Sequence, residues 1–168
     1  NKSVYSINDY TGRVRFLVEQ TIRMTGLKEF GAYLCRLFAI DAMFLNEDRH
    51  THNIAVLLDD VGEYHYCPIF DNGAALLSDT TMDYPMTGDV YELVEEARPK
   101  TICQNFDEQL DIAEQLYGQQ IRFYYGVKEI ESLLAAEQYY PNEIKQRVKE
   151  ILINQRRKYR YLFTDSIC

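Results

Sequence analysis

Tryptophan is absent from the 168 residues, proline and cysteine occur four times each, and 18 Lys and Arg are outnumbered by 26 Asp and Glu. The net charge of −8 argues against a general nucleic-acid surface, which would need a basic face. It does not argue against ATP, because magnesium and local donors offset the phosphates. The longest apolar runs fall far short of the ~20 residues that span a bilayer, and no signal-peptide pattern opens the chain. No membrane partner is expected. Cys35, Cys67, Cys103 and Cys168 are scattered with no CxxC pair. Four cysteines allow two disulfides, but in a chain of this size reduced, partly buried thiols in a cytoplasm are the plainer reading.

What is present is enough for one domain with a real core: 46% hydrophobic residues, with fourteen tyrosines carrying most of the aromatic content. No internal repeat or low-complexity linker divides residues 1–168, so a single domain is expected. The chain opens on Asn1 and stops at Cys168, which reads as a fragment or a processed product. Apolar spacing predicts a helix from Arg13 to Thr25, stopped by Gly26, and a longer one from Leu27 to Leu45. Asp41 lies near the inward face of the second, where a buried carboxylate satisfied by backbone or Arg is expected. Asn53 to Leu58 and Glu63 to Ile69 read as a hairpin about Asp59-Asp60-Val61-Gly62. An irregular stretch from Asn72 to about Lys100 follows, with one or two helical turns over Asp89 to Ala97. Helices are then expected over Asp107 to Tyr117, over Ile121 to Ala136 with a possible break at Gly126, and from Pro141 onward. That last helix carries Lys145, Arg147, Lys149, Arg156, Arg157, Lys158 and Arg160, which read mostly as a solvated basic face. The fold class expected is α+β, predominantly helical, with one short hairpin.

The chemistry concentrates in Leu45-Asn46-Glu47-Asp48-Arg49-His50-Thr51-His52-Asn53-Ile54-Ala55-Val56 and in Pro68-Ile69-Phe70-Asp71-Asn72-Gly73. Phosphoryl transfer calls for one carboxylate near the acceptor hydroxyl, with an amide and a second carboxylate to hold magnesium on the phosphates. Asp48, Asn53 and Asp71 supply those groups, and pairing of the two strands would make Asn53 and Asp71 neighbours.

Asp48-Arg49-His50-x-x-Asn53 resembles the catalytic loop of HipA-like serine/threonine kinases and of phosphatidylinositol kinases, and Phe70-Asp71-Asn72-Gly73 resembles their metal-binding Asp motif. The resemblance covers roughly Arg13 to Leu77. It implies a protein-kinase-like C-terminal lobe whose hairpin carries the metal-site residues, with ATP as substrate and Mg2+ as cofactor. On this resemblance Asp48 orients or deprotonates the acceptor hydroxyl, His50 assists it or supports the loop, and Asn53 and Asp71 coordinate Mg2+. Arg49 pairs with a nearby acidic group. The implied partner is a protein offering a Ser or Thr hydroxyl. One departure matters: no Gly-rich loop and no strand with an ATP-pairing Lys precedes residue 13. The N-terminal ATP-gripping lobe is thus expected from an upstream or separate segment, and the isolated chain is expected to be inactive.

Two other readings compete. His50, His52, His65 and Cys67 lie close in sequence and offer nitrogen and sulfur to a structural zinc, but leave Asn53 and Asp71 unexplained. A non-catalytic domain of the same fold, serving as a binding or scaffold unit, accounts for the polar cluster as capping alone.

Overall fold

Asp9 starts the first helix by accepting a hydrogen bond from the Gly12 N–H at 2.6 Å, a side-chain cap on a free helical donor. In the computed structural model, which describes residues 3–164, helix α1 runs Tyr10–Thr25, one turn longer at its start than the apolar spacing alone predicts. Gly26 ends it at φ 75°, returning its N–H to Ile22. Helix α2, Phe30–Phe44, follows a short turn in which Leu27 O accepts from Phe30 N–H. Eleven of the fifteen residues of α2 are buried, so it is the axis of the molecule and has no solvated face.

Helix α2 is flanked by α1, α4 (Phe106–Tyr117) and α6 (Asn142–Lys158), while α3 (Val90–Glu96) and α5 (Val127–Ala136) pack against α6. The fold is α+β and mostly helical, its described strands being β1 (Val56–Leu58) and β2 (Tyr64–Tyr66) in one antiparallel pair. The first half of α2 packs Phe30, Leu34, Leu37 and Phe38 with Val14 and Val18 of α1 and Ala113 of α4. The second half packs Ala39, Ala42 and Met43 with Leu110, Ile151 and Leu162. Among the described residues no helix is long and apolar enough to cross a membrane.

Gly31 of α2 lies directly against α4. A Cβ built there would lie 2.5 Å from the Tyr117 ring of α4, so α2 and α4 meet where no side chain fits. Gly31→Ala should therefore destabilise the fold by about 1–3 kcal/mol through overpacking, against the ~1 kcal/mol that alanine gains in a helix interior. Urea unfolding of the two proteins measures the sign.

Three expectations need correcting. The helix expected from Ile121 begins at Val127, and residues 118–126 carry no helix. Gly118, at φ 74°, ends α4, and Phe123 joins Phe163 in an isolated parallel bridge. Phe123 N–H donates to Leu162 O at 2.8 Å, and its ring packs on Phe163, Tyr125 and Phe44. The hairpin is shorter than expected because Asn53 is taken by a 3-10 turn, Thr51–Asn53, and Pro68 cannot donate to a ladder. Asp59 holds its tip, accepting from Val61 and Glu63 N–H at 3.0 and 2.8 Å. Lastly, the basic face of α6 is broken at Arg147, which is only 7% exposed.

Candidate active site

Helix α2 delivers the chain into the Asp48 loop through Leu45, held at φ 54°. Bulky residues rarely adopt left-handed backbone, and three more non-glycine residues near this loop do so: Asp71 at 55°, Leu76 at 58° and Leu77 at 54°. Such outliers cost on the order of 1–3 kcal/mol each and persist where surrounding contacts hold them. Here Leu76 N–H donates to Phe44 O at 2.7 Å, and Leu77 is buried in the core.

The hub of the site is Arg49, whose side chain is fully buried. Its Nε and Nη2 donate to the two oxygens of Asp41 at 3.0 and 3.1 Å. Nη2 also donates to Asn72 Oδ1 at 2.6 Å, and Nη1 reaches Asn53 O at 3.3 Å and Phe70 O. Asn46 Nδ2 adds Asp41 Oδ1 at 3.1 Å and Asp71 O at 3.4 Å. One planar guanidinium thus ties residues 49–53 to residues 70–72 and to α2. A guanidinium does this well because its five donors lie in a fixed fork. Asp41 is the buried carboxylate expected from sequence. Burial pushes its carboxyl above the ordinary range, and the Arg49 and Asn46 hydrogen bonds pull against that.

Asn53 is 7% exposed, and its Nδ2 donates back across the loop to Asp48 O at 3.0 Å. Its amide oxygen carries no hydrogen bond from the described residues, which leaves a hard oxygen donor unused. Asp71 presents an exposed carboxylate on a backbone pinned from both sides by Phe70 O and Asn72 Oδ1. Both side chains offer oxygen donors of the type that suits Mg2+. Asp48 is partly exposed, with Oδ1 3.7 Å from Lys100 Nζ. His50 sits half-buried with Nε2 3.5 Å from Asn53 Nδ2, while His52 is exposed and meets His50 edge to face at 5.5 Å. His50 lies against Asn53, and His52 is solvent-exposed on the outer side of the pair.

No family model, curated protein or solved structure matches this chain. What the site can do is read from its own groups.

Two residues that the spacing did not single out complete the site. Glu47 accepts from Tyr84 Oη at 2.5 Å and from Arg98 N–H at 2.8 Å, while its carbonyl accepts from Lys100 N–H at 3.1 Å. It fastens the loop after Asp71 and the segment before α4 onto the Asp48 loop. Lys100 brings a positive charge to the Asp48 carboxylate from an irregular region, where no periodicity marks it.

The zinc set does not assemble. His65 Nε2 is drawn to Asp59 Oδ2 at 2.8 Å on the hairpin. Among the described residues, the one potential three-ligand group is Asp59, Glu63 and His65, which omits His50, His52 and Cys67. Asp59 is already engaged by two backbone donors and the imidazole, so this group reads as a hairpin lock. Cys35 and Cys103 are buried free thiols, pushed up by desolvation to about 11 and about 12, which leaves them poor nucleophiles at neutral pH.

Proposed function

We propose that this chain is the C-terminal, catalytic lobe of a HipA-like kinase, transferring the γ-phosphoryl of ATP to a hydroxyl, most simply Ser or Thr of a protein. The observation that carries the reading is the Arg49 hub, which holds the Asp48–Asn53 loop against Phe70-Asp71-Asn72. Bound Mg-ATP supplies the electrophilic phosphorus and the charge neutralisation; Asn53 and Asp71 are the residues to hold its metal. Asp48 orients the acceptor hydroxyl and receives its proton, with Lys100 tempering the charge of the carboxylate. His50 supports the loop beside Asn53.

The hairpin supports the same reading from another side. Leu57, Leu58, Val61 and Tyr64 are exposed apolar side chains on the hairpin, Val61 by 82%, with Leu57 on the face opposite Leu58 and Tyr64. An exposed apolar hairpin is a surface that another lobe covers. On this reading an N-terminal lobe supplies both the cover and the second wall of the nucleotide site. A non-catalytic scaffold would use the hairpin equally well but has no need of a free Asn53 oxygen.

Mg-ATP titrated calorimetrically into residues 1–168 should bind weakly or not at all, because affinity comes from both walls of the cleft. With the N-terminal lobe supplied in cis or in trans, γ-labelled ATP should transfer its label to Ser or Thr. Micromolar affinity of the lone chain would put the nucleotide site elsewhere. Absence of both binding and transfer in the completed protein would end the kinase reading in favour of a scaffold.

A further inference from the structure

A groove of about 580 Å³ opens between residues 72–80, α5 and the first half of α6. It begins at Asn72 and Gly73, immediately after the Asp71 backbone, and its apolar wall includes Leu133, Leu134, Ile144 and Val148. Arg147 lies within this wall. One of its donors is well placed, Nη1 giving to Tyr84 O at 2.9 Å. The other contact of Nη1 is the Met86 thioether at 3.1 Å, a weak acceptor. Nε and Nη2 are buried and have no partner among the described residues. A guanidinium that cannot be deprotonated is thereby held away from water with only one strong acceptor. Such a charge is costly to bury unless an anion pairs with it.

We propose that this groove is a binding site for a small apolar monocarboxylate, independent of the phosphoryl-transfer reading. The carboxylate displaces the Met86 thioether and accepts from Nη1 and Nη2 together, the forked geometry that a guanidinium offers to two coplanar oxygens. Met86 is able to leave: it is 38% exposed and has an unbranched, flexible side chain. The apolar body of the ligand lies along Leu133, Leu134, Ile144 and Val148. A single negative charge fits better than a phosphate dianion. The groove's other charged residues are Lys145 and Glu137, whose formal charges cancel in sum, with Lys145 Nζ donating to the Glu137 backbone carbonyl at 2.5 Å. That leaves one unmatched positive charge, on Arg147. The volume lies in the range of small-ligand sites.

The probe is 4-phenylbutyrate, compared with its uncharged amide, 4-phenylbutanamide, each titrated into the protein and followed by amide chemical shifts. The acid should bind saturably, with shifts confined to residues 72–86 and 133–148, and the amide roughly tenfold or more weakly, the loss expected for a charge-assisted pair. Arg147→Met should remove that preference. Met86→Ala serves as a second test that leaves the buried Arg147 in place. It alters an exposed side chain, and freeing the guanidinium should raise affinity for the acid several-fold without helping the amide. Equal binding of acid and amide, shifts elsewhere on the surface, or unchanged affinity in Met86→Ala would overturn the site. Binding of an acidic peptide with no binding of phenylbutyrate would make the groove a protein-docking surface and refute the small-ligand assignment.

Discussion

Asp71→Ala should reduce phosphoryl transfer on the order of a thousandfold or more once the N-terminal lobe is supplied, because it removes the charged ligand that places magnesium on the phosphates. Asn53→Ala should produce most of the same loss. It removes the neutral oxygen donor and also the Asp48 O hydrogen bond of 3.0 Å, so the loop itself loosens. Asp48→Ala should lower kcat by about 10²–10⁴-fold, the usual contribution of a positioned base, while leaving nucleotide affinity nearly intact. That split separates an acceptor-side role from a metal-side role. His52→Ala should be almost silent, since its side chain is exposed and makes no hydrogen bond to the loop among the described residues. The measurement is kcat beside nucleotide Kd for the four variants. Full turnover in Asp48→Ala, or its loss in His52→Ala, would refute the assignment of roles around the loop.

The helices were legible wherever a cap and an apolar stripe coincide. Gly26 and Gly118 stop their helices as expected, and both adopt the positive φ that other residues avoid. At α1 the cap and the stripe do not coincide: Asp9 caps the helix a turn ahead of the first apolar residue of the stripe, so periodicity alone starts it late. The stretch 118–126 misled because Ile121, Phe123 and Tyr125 are apolar enough to sit in a helix. Their partners, Phe163 and Leu162, lie forty residues away and cannot be seen in a local window. The basic residues of α6 read mostly as a solvated face, and composition does not reveal that Arg147 turns inward to Tyr84 and Met86. In the candidate site, residues close in sequence were legible and long-range ties were not. Asp48, Asn53 and Asp71 announce themselves by type and spacing. Asp41 was expected to be buried and satisfied, and Arg49 to seek an acid, but only the fold joins them. Glu47 and Lys100 act on segments 37 to 53 residues distant, for which no spacing rule exists.

The largest stability effect should come from the Arg49–Asp41 pair. Both side chains are fully buried, and removal of one partner leaves the other charge uncompensated. Arg49→Met should therefore cost about 3–5 kcal/mol, enough to unfold a marginal domain at moderate temperature. The attraction between two buried charges largely offsets their own desolvation, so replacing both with apolar residues of similar size is often nearly neutral. Asp41→Leu combined with Arg49→Met should accordingly recover much of the lost stability. Recovery stays incomplete because Arg49 also serves Asn53 O, Phe70 O and Asn72 Oδ1, which the double variant leaves without their donor. That shortfall separates two roles for the hub. If Arg49 only neutralises Asp41, the double variant should regain both its melting temperature and its phosphoryl transfer. If it also holds the Asp48 loop against Asp71, stability should return in large part while transfer stays low. Thermal denaturation of the wild type, both single variants and the double variant gives the coupling energy. Turnover on the same four proteins, completed by the N-terminal lobe, shows whether the loop register depends on Arg49, and full recovery of turnover in the double variant would show that it does not.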